Sequence, residues 1–292
     1  MMNRRAFVTG LGVVLAAPHV DAAEYAGKVW RIGSVLGGTP ESSGRVAKAI
    51  KASLSALGYV AGRNITLEDR FYTDRAGAEQ ILRAIASTID LLVVGGTVGA
   101  VAAKKVTSLP TVFFTVGDPV RVGLVSSLGN PGGNMTGVTF EAAAETYGKR
   151  LQLLKEILPA LTIVGILRVP SDPNIVVAMD SLERVGPKLG VTLRPFDVRT
   201  ADDLSDAFAR MTASNVQAVL VVAGAFTYTH GHRIAELALS RRLPSAHAFR
   251  ETAAAGGLFS LGPDIVAMAP QVAAYVDKIL NGTMARADHV IE

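Results

Sequence analysis

The chain has 292 residues, 49% hydrophobic and 18% charged, with a formal net charge of +4. These values fit a folded protein of one large domain or two lobes of about 120 residues each, and exclude a disordered chain. With no cysteine, it has no zinc ribbon, iron–sulfur site, thiol nucleophile, disulfide or lipidated-cysteine anchor.

Residues 1–22 read as an export signal. Arg4-Arg5 precede a mildly apolar stretch at 6–17, and Val20 and Ala22 offer small residues to a peptidase. The apolar run is about 12 residues, short of the roughly 20 that span a bilayer. Arg4-Arg5-Ala6-Phe7 resembles a twin-arginine signal. The expected compartment is therefore the periplasm, with the chain exported, soluble and not lipid-anchored. The remaining basic pairs, Lys104-Lys105 and Arg241-Arg242, are isolated, so no nucleic-acid partner is expected.

From Lys28 onward, apolar runs alternate with helical spacing. Strands are predicted at 29–36, 65–71, 91–94 and 111–115. Helices are predicted between them at 42–57, 75–86 and 98–107. In the first helix Val46, Ile50 and Leu54 share a face, and Gly58 ends it. A long helix is expected at 141–158. The order then restarts, with strands at 163–167, 192–196, 218–222 and 245–248 and helices at 174–188, 202–213 and 230–241. The two passes share details: Leu91-Leu92-Val93-Val94 matches Val219-Leu220-Val221-Val222, and a helix followed by Leu-Pro comes after each. The fold class this implies is α/β, with two similar Rossmann-like lobes, each built on a parallel sheet.

Ligands of open parallel sheets sit beyond the carboxyl ends of the strands. The loops there give the candidate ligand-binding residues: Gly38, Thr39, Gly96, Thr97, Gly117, Asp118, Ser171, Asn174, Gly224, Phe226 and Arg250. Their Gly, Ser and Thr content lets backbone N–H groups approach an anionic group. Several read two ways. Asp118 is either an acceptor for a ligand amine or a turn residue satisfying its own backbone. Thr39, Thr97, Ser171 and Asn174 are helix caps or ligand donors. Phe226 and Tyr228 stack on a flat ligand or pack against their own lobe. Arg168 and Arg250 pair with a ligand carboxylate or form salt bridges. His230 and His232 do not share a helix face, and no metal site is expected. No cofactor loop and no catalytic constellation is present, so neither a cofactor nor an enzyme is expected.

Two longer motifs carry a family resemblance. One runs Gly117-Asp118-Pro119-Val120, Gly123-Leu124-Val125, Ser127-Leu128, Asn130-Pro131-Gly132-Gly133-Asn134 and Thr136-Gly137. The other runs Arg233-Ile234-Ala235-Glu236-Leu237, Leu243-Pro244, Phe249-Arg250-Glu251, Ala255-Gly256-Gly257-Leu258 and Gly262-Pro263-Asp264. Together they resemble ABC-transporter substrate-binding proteins, the family that includes tryptophan- and tyrosine-type binding proteins. The resemblance implies a type I periplasmic-binding-protein architecture, with lobes at 28–138 and 139–259 and residues 260–292 forming a hinge crossover and a helix returning to the first lobe. It also implies crossovers at 136–140 and 258–261. The ligand it implies is a small anionic or zwitterionic molecule, such as an aromatic amino acid or related carboxylate. The partner it implies is an inner-membrane ABC permease, served by a monomer. The loop at 223–226 lacks the Asp-Pro pair of relatives, so that pair's contacts do not transfer. Relatives also run on where this chain stops, at Glu292. A ligand-sensing module and a two-lobe nucleotide-sugar enzyme are the alternatives of different class.

Overall fold

The computed structural model describes residues 28–141, 145–262, 264–282 and 290–291, and the alternation forms two parallel sheets. The first half runs β1 (Trp30–Gly37), α1 (Pro40–Ala56), β2 (Ile65–Tyr72), α2 (Arg75–Ile85), β3 (Leu91–Gly95), α3 (Thr97–Val106), β4 (Thr111–Gly117) and β5 (Met135–Glu141). The second half runs α4 (Glu145–Ile157), β6 (Ile163–Arg168), α5 (Asn174–Val185), β7 (Thr192–Asp197), α6 (Asp203–Ala213), β8 (Ala218–Val221), α7 (Ala225–Thr229), α8 (Gly231–Ser240) and β9 (Ser245–His247). It ends with α9 (Arg250–Ala254), β10 (Phe259–Ser260), α10 (Ala269–Leu280) and β11 (Val290–Ile291). The export signal expected at 1–22 lies outside the described residues.

The sheets are ordered β11-β5-β4-β3-β1-β2 and β10-β9-β8-β6-β7. Each places its second strand outside its first and the later strands on the other side. Each therefore has a topological switch point, between β1 and β3 and between β6 and β8. The molecule is an α/β protein of two parallel-sheet lobes, as the alternation implies.

Side-chain alternation along the strands explains the layering. In β3, Leu91 and Val93 join the apolar layer under α1 and α10, while Leu92 and Val94 join the layer under α2 and α3. In β8, Ala218 and Leu220 face α4 and α5, while Val219 and Val221 face α6 and α8. α10 follows the second sheet in the chain but packs on the first, where Val272, Tyr275 and Val276 meet α1. Its Asp277 accepts a hydrogen bond from the Tyr59 hydroxyl at 2.8 Å.

Local signals set the element ends. Thr39 caps α1 with its hydroxyl on the Ser42 N–H, Ser42 answers on the Thr39 N–H, and Pro40 begins the helix. Asp74 caps α2 through the Gly77 N–H at 2.7 Å. At Gly137 in β5 any side chain would overlap the Phe113 backbone of β4, so only glycine lets these strands pair.

Four sequence expectations need correction. Glu141 belongs to β5, and the described part of the following helix begins at Glu145. The helix expected at 174–188 ends at Val185, because Pro187 cannot continue it; a 3₁₀ turn follows. The helix expected at 230–241 is preceded by a separate short helix, α7, in the segment expected to be an open loop. The segment at 249–251 likewise opens a short helix, α9.

Candidate functional site

The carboxyl ends of the two sheets face each other across a cavity of about 50 Å³. Gly37 at the end of β1 and Gly95 and Gly96 at the end of β3 line it from the first lobe. Asn174 after β6 and Gly224 and Ala225 after β8 line it from the second. Both switch points therefore open onto the same space.

The first lobe's wall joins the backbone of Gly37, Gly95 and Gly96 to side chains that include Ser43, Thr97, Phe114 and Thr115. The Tyr72 hydroxyl, at the end of β2, donates to the Gly95 carbonyl at 2.8 Å and accepts from the Gly99 N–H at 2.9 Å. Burial, foremost, holds this phenol well above its usual pKa. Tyr72 fills the room a side chain at Gly96 would need, and Gly96 itself has φ +92, in the left-handed region that favours glycine. Gly96 caps α3 without a side-chain bond, so the first N–H groups of this ten-residue helix have no side-chain acceptor from the cap. Thr115 also lines the cavity, at φ +51. This is an unusual conformation for a β-branched residue, and it coincides with an irregularity in the pairing of β4 with β5. Strain of this kind clusters at ligand sites.

The second lobe's wall combines Asn174, Gly224 and Ala225 with two aromatic rings. Tyr228 and Phe249 meet edge to face with centroids 4.9 Å apart, and both line the cavity. Phe114 of the first lobe adds a third aromatic surface. The Asn174 amide donates to the Ala223 carbonyl at 3.0 Å. Beside it lies Asp172, only 7% exposed. Its carboxylate accepts from the Asn174 N–H at 2.9 Å. Burial, only partly offset by that bond, pushes its pKa up to about 7.

The lobes touch directly. The Thr97 hydroxyl donates to the Asn174 side-chain oxygen at 2.9 Å and accepts from the Gly117 N–H at 3.1 Å. Two ion pairs bridge the rim, Arg45 with Glu251 at 3.3 Å and Arg121 with Asp180 at 3.0 Å. The apolar layer beneath α1 is also shared: Phe249 and Ala248 of the second lobe join Leu36, Val46 and Phe114 of the first.

Of the residues picked from sequence, Gly96, Thr97, Asn174 and Gly224 come together at the cavity. Gly117 lies behind Thr97. Gly38, at φ +114, bonds the Tyr72 carbonyl, and Thr39 is occupied as a helix cap. Asp118 accepts from the Arg121 N–H at 3.0 Å, the turn role of its two readings. Ser171 is exposed. Phe226 packs into the second lobe's own apolar layer, 4.5 Å from the His230 ring. Arg250 is exposed and paired with Asp264 at 2.8 Å, and Arg168 pairs with Asp197 at 2.6 Å. Ser43, which the sequence offers as a helix cap or a holder of a ligand carboxylate, lines the cavity, as do Phe114 and Thr115, which the sequence does not single out; nor does it single out Asp172. Phe114 and Thr115 sit inside an apolar strand without a signal, whereas Asp172 lies in a loop already marked as facing the cleft.

Among the described residues no cluster of three or more His, Asp or Glu residues offers a metal site. No described helix is long and apolar enough to cross a membrane.

Such a fold and site define a two-lobed α/β protein with a cavity between its lobes, lined from both. Residues 41–289 match the family described as ABC transporter substrate binding protein, and the chain belongs to that family. It is 28% identical over 170 residues to a tyrosine-binding protein of Clostridioides difficile, covering 56% of this chain. The chain spans about half the length of this curated relative, 48%. A conserved domain protein of Vibrio cholerae superposes with a TM-score of 0.83 at 26% identity, covering 90% of this chain and 89% of its own. A Streptococcus pneumoniae ABC domain in complex with L-Trp gives 0.81 at 22% identity, covering 91% and 90%.

Proposed function

We propose that this chain is the exported solute-binding subunit of an ABC importer. It traps a small amino acid or related carboxylate, aromatic by preference, between lobes at 28–138 and 139–259, with residues 260–292 completing the hinge. The observation that carries this reading is the cavity at the two facing switch points, with polar Thr97 and Asn174 beside the aromatic surfaces of Phe114, Tyr228 and Phe249. The tyrosine- and L-Trp-binding relatives support the ligand class.

Ligand and lobes are coupled through closure. The bond between Thr97 and Asn174 and the two rim ion pairs exist only while the lobes are together. A ligand touching both walls binds the closed form better and shifts the population toward it. The closed form then docks on a permease in the inner membrane and releases its cargo without chemical change. Arg150 supports the hinge, since its guanidinium holds the Leu261 carbonyl through two bonds at 2.8 and 2.6 Å.

A thermal-shift screen with amino acids, aromatic carboxylates, sugars and nucleotides tests this. A ligand at 100 times its Kd adds about 2.7 kcal/mol of stability. A rise in Tm with an amino acid or aromatic acid that is recovered unchanged is the expected result. A rise with nucleotides alone, or conversion of the ligand, would overturn it.

A further inference from the structure

The cavity between the lobes is walled, among the described residues, by uncharged side chains. Its lining contains no Lys, Arg, Asp or Glu, and the one buried carboxylate beside it is Asp172. Asp172 stands behind Gly224: a side chain at that glycine would overlap Oδ2 of the carboxylate. The other oxygen, Oδ1, is taken by the Asn174 N–H. No donor among the described residues reaches Oδ2, and no Lys, Arg or His lies close enough to form an ion pair with Asp172. Its charge is felt across the cleft by Tyr72 of the first lobe.

A structural role alone does not account for a carboxylate here. The turn onto the Asn174 N–H needs one oxygen acceptor, which an asparagine would supply without charge. A buried carboxylate without a cation costs free energy that an amide does not. A cation arriving with the ligand removes that cost. The same ligand's carboxylate would meet no basic side chain, only hydroxyls such as Ser43 and Thr97 and the N-terminus of α3.

Building on the proposed function, we infer that Asp172 accepts the ammonium group of the ligand, and that the site therefore selects amino acids over the same molecules lacking the amine. Gly224 is part of this arrangement, because its missing side chain lets Oδ2 lie directly against a residue of the cavity wall. The amine role assigned to one reading of Asp118 passes to Asp172, since Asp118 is occupied in its turn.

Matched ligand pairs test the inference by calorimetry on the full chain: L-tryptophan, L-tyrosine and L-leucine, each against its deamino acid. Charge-assisted hydrogen bonds contribute roughly tenfold to a hundredfold in affinity. Wild type is expected to prefer the amino acid of the best-bound pair by that factor. D172N is expected to lose the preference while keeping its affinity for the deamino acid. Wild type binding both members of a pair equally overturns the inference and leaves the proposed function standing; this arm needs no variant to fold. A folded D172N that keeps the full preference overturns it as well. Failure of wild type to bind any member of any pair overturns the proposed function, and the inference with it.

Discussion

The two lobes share one strand order yet present different chemistry to the cavity. The first lobe offers Gly37, Gly95 and Gly96, packed around Tyr72 and fixed by its hydroxyl, beside the side chains of Ser43, Thr97, Phe114 and Thr115. The second offers Asn174, Tyr228 and Phe249, with the buried Asp172 behind Gly224. A backbone wall recognises a polar group wherever N–H groups converge, and tells little about the rest of the ligand. A side-chain wall sets size, shape and charge. The glycine-rich loops of the first lobe supply a backbone platform, and the side chains of both lobes set which ligand is held.

The largest effect that would break the comparison is expected at Phe249. It belongs to the second lobe but is 7% exposed in an apolar layer that is mostly first-lobe. Truncating a buried phenylalanine costs about 3–5 kcal/mol. F249A should therefore lower the urea midpoint strongly and weaken ligand binding together. A variant that binds normally and loses only stability would show that this ring is structural and not part of the ligand wall.

A sharper test uses pH. Asp172 has a native pKa of about 7 against 3.8 for an unperturbed group. Between those values the native state holds more protons than the unfolded chain, so the contribution of Asp172 to stability falls as pH rises. His247, in β9, runs the other way. Burial, foremost, lowers it to about 4 from 6.5. The unfolded chain then holds more protons between pH 4 and 6.5, and stability rises with pH. The two slopes oppose each other in wild type. D172N should expose a profile rising from pH 4.5 to 6.5, and H247Q a falling one, in urea midpoints measured without ligand. Parallel profiles for the two variants would contradict these assignments.

The smallest effect is expected at the rim. Arg45 is two-thirds exposed where it meets Glu251, and exposed ion pairs contribute about 0.2–1 kcal/mol. R45Q should shift ligand affinity by less than about fivefold, with the difference fading at high salt. A larger loss would mean that the rim, and not the cavity walls, holds the lobes together.

Sequence made the architecture readable because each buried strand is a short apolar run and each helix carries one apolar face. Short elements were less visible. α7 has five residues, too few to show a period, yet it decides the orientation of two aromatics. Residues two apart on a helix point to nearly opposite sides. Phe226 therefore enters the second lobe's own layer while Tyr228 reaches the cavity. Read as a loop, the segment left both orientations open. Thr97 and Asn174 were legible because each follows a strand and opens a helix. Thr115 was not, because its departure from ordinary strand geometry comes from the pairing of β4 with β5 and leaves no mark on the residues nearby. The role of Asp172 depends on Gly224, 52 positions away in the chain, and only folding brings the pair together.

Closure is the central claim, and small-angle X-ray scattering tests it most directly. The radius of gyration is measured on the free chain and again with a saturating amino acid identified by thermal shift. A smaller value with ligand, matching the closed arrangement in which Thr97 bonds Asn174, is the predicted result. An unchanged value at full occupancy would contradict the account.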